Sequence, residues 1–124
     1  MSKADEDYVA NLLAKELGIT FQNRKLNLDG WGQVDKWARL NSKSLIFVEV
    51  EREQEHPDTN VLKVWPYIEK KKKLGVFLIH CFLPKSPSTD SSRRRLAGWI
   101  AIKLEKKFRS RFLYAEVMVS GVIK

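Results

Sequence analysis

Leu45-Ile46-Phe47-Val48-Glu49-Val50-Glu51 decides how this chain folds. Five of its seven residues are aliphatic or aromatic, and the two acids stand at alternate positions, which is the composition of a β-strand. Alternation places Phe47, Glu49 and Glu51 on one face and Ile46, Val48 and Val50 on the other. Upstream, Asn41-Ser42-Lys43-Ser44 reads as a turn, residues 33–40 as an extended run, and Asp29-Gly30 as a second turn preceded by an extended run over 19–28. Three successive strands in a meander are therefore expected. Ahead of them, Val9, Leu12, Leu13 and Leu17 recur at helical spacing, with Asp5, Glu6 and Asp7 in the first turn and Gly18 as the stop.

Downstream of a loop at 54–59, Val61, Val64, Trp65 and Ile68 predict a helix that ends in Lys70-Lys71-Lys72-Lys73, where cations suit the helix dipole. Pro66 inside it demands either a kink near Trp65 or a new helix with the proline in its first turn. Residues 76–83 are apolar on both faces, as in a covered central strand, and the helical crossover makes that strand parallel to its predecessor. Residues 84–92, with two prolines and five Ser/Thr, predict a flexible loop. Leu96, Ile100, Leu104 and Phe108 then mark a last helix over 93–109, and 112–119 a closing strand. The order is αβββαβαβ, an α/β (α+β) fold with a central mixed sheet flanked by helices, in one domain over 1–124.

Composition agrees. Of 124 residues 44% are apolar, enough for a packed core and too many for a wholly disordered chain. The longest near-continuous apolar run, 74–83, is far shorter than the roughly 20 residues of a membrane span, and the N-terminus carries no secretion signal, so a soluble, cytoplasmic protein is expected. Cys81 is the lone cysteine, which excludes an intrachain disulfide and argues against cysteine-ligated zinc. The net charge of +8 is uneven: residues 1–60 hold 8 Lys/Arg against 11 Asp/Glu, and residues 61–124 hold 15 against 4. Such a basic half suits a polyanion, phosphate backbones being the commonest.

Glu49 and Glu51 project together, and in the preceding antiparallel run Asp35 can lie beside them. Three clustered carboxylates suit a hard divalent cation such as magnesium, which takes oxygen ligands and accepts phosphate oxygens. The ordinary alternative is a solvated strand face whose acids pair with Lys36, Arg39 or Lys43. An interior strand disfavours it, because unpaired carboxylates there are costly and usually mark a site.

This pattern, an acid on the second strand and acid-x-acid on the third within the order αβββαβ, resembles the PD-(D/E)XK nuclease superfamily of restriction endonucleases and Holliday-junction resolvases. The match is Asp35 followed, after thirteen intervening residues, by Glu49-Val50-Glu51, and it covers residues 5–83. Val34 stands in place of the family's proline, and Glu51 in place of its lysine. The resemblance implies a restriction-endonuclease-like core and a Mg2+ (or Mn2+) endonuclease. Asp35, Glu49 and the carbonyl of Val50 would hold the ion, Glu6 of the first helix would assist, with Glu16 as second choice, and Glu51 would bind the ion or take a proton from water. Gln54 and Lys63 are accessory candidates, Lys63 as a source of the missing cation; both are equally read as solvated polar residues.

Arg93-Arg94-Arg95 begins a helix where the dipole disfavours cations, which points to phosphate contact, and Lys103, Lys106 and Lys107 extend that basic face. His56 reads as a solvated loop histidine, His80 and Cys81 as core residues on opposite faces, Gly30 and Gly32 as turn or bulge positions, and Trp31 and Trp37 as packing residues. The expected function is a metal-dependent nuclease on DNA, a homodimer because one short domain holds one site and two strands need two. The alternatives are a noncatalytic nucleic-acid-binding module and a basic protein-interaction domain.

Overall fold

The acidic first turn of Asp5 and Glu6 and the stop at Gly18 (φ +64°) bound the first helix, α1, at Lys3–Leu17 in the computed structural model, which describes residues 3–51, 56–83 and 92–119. Ile19 N–H closes the helix end by donating to Ala14 O at 3.1 Å. A short ribbon follows, β1 (Leu26–Asn27) antiparallel to β2 (Gln33–Val34). Its turn takes the type I′ form that Asp-Gly favours: Asp29 and Gly30 both have positive φ (57° and 88°), and Trp31 N–H donates to Leu28 O at 3.1 Å.

The main sheet has four strands in the order β3-β4-β5-β6: Lys36–Asn41, Ser44–Glu51, Gly75–Phe82 and Phe112–Met118. β3 is antiparallel to β4, and β5 and β6 run parallel to it, so the fold is α/β with a mixed sheet, as expected. The parallel steps are made by α2 (Pro57–Leu62) with α3 (Val64–Lys70), and by α4 (Ser92–Phe108) with a 3₁₀ turn at Arg109–Arg111. Two such crossovers taken in one direction put their helices on one face of the sheet. There Val61, Val64, Ile68, Ala97, Ile100, Ala101 and Leu104 pack on Trp37, Leu45, Phe47 and Leu78. The other face is covered by α1, through Val9 on Ile46, Val48, Ile79 and Cys81.

The expected three-strand meander is not formed, and the order αβββαβαβ is corrected accordingly. Residues 19–28 do not run along the sheet: Ile19 and Phe21 pack on the α1 side, whereas Leu26 and Leu28 pack on the opposite side. A segment that changes faces must wrap around the edge strand β3, and only its last residues pair, in a ribbon of their own. The second expected strand, 33–40, breaks at Asp35, the hinge between ribbon and sheet.

Pro66 resolves as a new helix. It is the third residue of α3, where its missing N–H would lack an intrahelical acceptor. The carbonyls at the end of α3 are capped by Arg111, whose guanidinium donates to Ile68 O (2.7 Å), Lys71 O (2.8 Å) and Leu74 O (3.1 Å). Residues 84–91 of the expected loop lie outside the described residues, and Ser92 already opens α4. Among the described residues no helix is long and apolar enough to cross a membrane.

Candidate active site

Glu49 points from the C-terminal half of β4 toward α2 and α3. Its register partner in β5 is His80, whose own partner in β6 is Glu116, so a row of polar residues crosses the sheet at one level. Glu49 Oε2 lies 2.9 Å from Lys63 Nζ, with both side chains largely buried (14% and 11% exposed). Lys63 sits where α2 ends and α3 begins, and its backbone N–H still donates to Thr59 O at 3.0 Å. Its ammonium also donates to Gln33 O (2.8 Å) and Asn60 Oδ1 (2.9 Å), which hold it in place against Glu49. Burial pushes the Glu49 carboxyl up to about 7. The Lys63 charge and hydrogen bond oppose that rise, and the charges of Glu51 and Asp35 add to it.

Asp35, at the bend between β2 and β3, meets Glu6 from α1. Burial raises the Glu6 carboxyl first, then the Asp35 charge and a hydrogen bond between the two side chains; the Lys36 charge opposes this. Lys36 itself pairs with Asp7 of α1. Glu6, Asp35, Glu49, Val50, Asn60 and Lys63 line one open cavity of about 310 Å³. The structure thus brings together three of the acids expected in the site, Glu6, Asp35 and Glu49, with Val50 and the accessory candidate Lys63.

Glu51 departs from expectation. It shares the face of Glu49 but lies two residues farther on, beneath α2, where it is fully buried and does not line the cavity. Asn60 Nδ2 donates to its Oε1, and His80 Nε2 lies 3.3 Å from the same oxygen. Its Oε2 has no hydrogen-bond partner among the described residues. His80 Nδ1 in turn lies 2.7 Å from the Tyr114 hydroxyl, whose ionisation burial opposes. His80 is core, as read from the sequence, but as a member of this chain. Cys81 faces the other side, its thiol pushed up to about 12 by burial.

The convergence of three acids at one sheet edge is therefore corrected: Glu6 takes the place expected of Glu51. Among the described residues no three carboxylate, imidazole or thiol groups are gathered as a ready metal cage. Glu16 is exposed, ten residues along α1 from Glu6 and so about 15 Å away. Gln54 lies outside the described residues. Arg93 and Arg94 have partners within the fold, Asp58 at 3.3 Å and Glu116, and Arg94 also lies over the Phe82 ring. These ion pairs supply the stabilising reason that the sequence did not offer. Arg95, Lys103, Lys106 and Lys107 are exposed on α4, and Lys103 caps the ring of Trp99 at 5.0 Å. Trp37 packs as expected (3% exposed), whereas Trp31 is 61% exposed.

Asn60 was not anticipated. The signal was its spacing, three residues before Lys63 and so on the same side of a helical turn. Gly32 was read as a turn; its role is a close approach, since a Cβ there would lie 3.0 Å from Lys63 Cδ. Comparison with known proteins finds no matching family model, no matching curated protein and no matching solved structure.

Proposed function

We propose that this chain is a metal-dependent nuclease that hydrolyses phosphodiester bonds of DNA, with a site organised as in the PD-(D/E)XK superfamily and its lysine moved from the strand to the α2–α3 junction. The observation that carries the reading is the Glu49–Lys63 contact of 2.9 Å, beside Asp35 and Glu6 in one open cavity. The lysine that the strand lacks at position 51 is supplied from elsewhere to the same acid.

The donor set fits a hard dication: Glu6, Asp35, Glu49 and the Val50 carbonyl are all oxygen ligands, and magnesium needs only one or two carboxylates beside water and phosphate. The raised carboxyls of Glu6 and Glu49 are what a nearby positive charge would relieve. When bound, Mg2+ or Mn2+ would supply Lewis-acid activation of water and neutralise charge on the scissile phosphate. Lys63, held by Gln33 O and Asn60 Oδ1, would place its positive charge where the leaving oxygen develops negative charge. Glu51 acts one step back, holding Asn60. Two copies acting as a homodimer in the cytoplasm would cut both strands of a duplex.

The test is cleavage of labelled duplex DNA with Mg2+ and with EDTA, beside Glu49→Ala and Lys63→Met. Cutting that needs metal and falls on the order of 10²-fold or more in each variant is the expected result. Parental cutting by Glu49→Ala, or in EDTA, overturns the reading. One observation favours a second: Lys63 is already paired with Glu49 at 2.9 Å, as in a noncatalytic binding module. That module would bind DNA in a salt-sensitive way, cut none, and gain no thermal stability from Mg2+.

A further inference from the structure

A further cavity, of about 520 Å³, opens along the outer edge of β3. It shares Glu6, Asp35 and Lys36 with the site cavity, so one wall is continuous from one to the other. Its remaining wall is Asp7, which is paired with Lys36, and the stretch Gln22-Asn23-Arg24-Lys25, four exposed residues in succession whose side chains all carry hydrogen-bond donors.

This stretch is fastened down. Gln22 N–H donates to Trp37 O at 2.9 Å, and the Trp37 indole N–H donates to Arg24 O at 2.8 Å. The Arg24 guanidinium lies 5.9 Å from the centroid of the Trp37 ring. A buried tryptophan on the edge strand thus holds the loop at two points, and its polar side chains contribute nothing to the core. Lys25 is paired with Asp35, at 3.7 Å between well-exposed groups (65% and 45%). Such an exposed pair contributes little and is screened by salt.

We infer that residues 22–25 form a phosphate ledge, on which Arg24 and Lys25 hold a backbone phosphate of the nucleic-acid strand whose scissile bond lies in the Glu49–Lys63 cavity. The two adjacent exposed cations on a fastened stretch and the continuous wall carry the inference, which rests on the nuclease reading for the identity of the strand. Contacts of this kind position a strand without reading its sequence.

The test measures binding of labelled duplexes of two unrelated sequences to the full chain in EDTA, where no cutting occurs, over a series of salt concentrations. Three proteins are compared: the parent, Arg24→Ala/Lys25→Ala, and Lys72→Ala/Lys73→Ala at the opposite end of the sheet. Both pairs are exposed, and the Arg24 carbonyl that anchors Trp37 remains. The ledge variant should lower the slope of log K against log salt by about 1–2, equally for both sequences, while the Lys72/Lys73 variant keeps the parental slope. A parental slope in the ledge variant overturns the ledge and leaves the nuclease reading standing. A lowered slope in a parent that cuts no DNA with Mg2+ supports the ledge as a phosphate site and removes the nuclease.

Discussion

At Glu49 the fold holds a carboxyl against a lysine ammonium 2.9 Å away and still, by burial, keeps its proton on up to about pH 7 instead of the ordinary 4.5. An acid raised in the folded state binds more protons folded than unfolded between those two values. Stability therefore declines as pH climbs from about 4.5 to 7, and is unaffected by this group outside that window. Glu49→Gln carries no such proton. Chemical denaturation at intervals between pH 4 and pH 8 should show the parent losing stability relative to Glu49→Gln across the window, with parallel curves below and above it. A constant difference would mean that Glu49 ionises as it does in the unfolded chain. The same group explains why residue types alone leave its chemistry open: the strand pattern shows which face carries Glu49, but its burial and its lysine come from α2 and α3.

Among the elements, the β1–β2 ribbon bears on the site through a glycine. Gly30 and Gly32 look alike in the sequence, and the structure separates them: around Gly30 (φ +88°) a Cβ would meet open space, whereas at Gly32 (φ +151°) it would press on the Lys63 side chain. Alanine at either position strains the backbone by roughly 1–3 kcal/mol. Only Gly32→Ala should also displace Lys63 from Glu49. Thermal melts of the two variants should fall by similar amounts, while DNA cleavage falls severalfold or more for Gly32→Ala and stays near parental for Gly30→Ala. Equal loss of cleavage in both would detach the ribbon from the site. Elements specified by local periodicity were legible: α1, α4 and β5 lie within a residue or two of their expected limits. The stretch 19–28 was not, because its apolar residues serve both faces of a sheet that other segments build.

Across the whole molecule, polar contacts run from α2 through three strands: Asn60 to Glu51, Glu51 beside His80, His80 to Tyr114. Sequence reading found Glu51 by its alternation with Glu49 and gave it the partner's role, since the period of a strand assigns a face but not what covers each position along it. Glu49 lies where the helices leave a cavity; Glu51, one step farther, lies where α2 closes over the strand. The two acids should therefore fail differently. Glu51→Gln keeps an oxygen for Asn60 and should cut DNA near the parental rate, while Glu51→Ala leaves Asn60 and His80 facing an empty buried volume and should lose roughly 1–3 kcal/mol for each unsatisfied group. Glu49→Ala, with its side chain at the cavity wall, should stay folded and lose cleavage. Denaturant midpoints and cleavage rates measured on the same three proteins separate the assignments. A well-folded Glu51→Gln as inactive as Glu49→Ala would return Glu51 to the reacting centre.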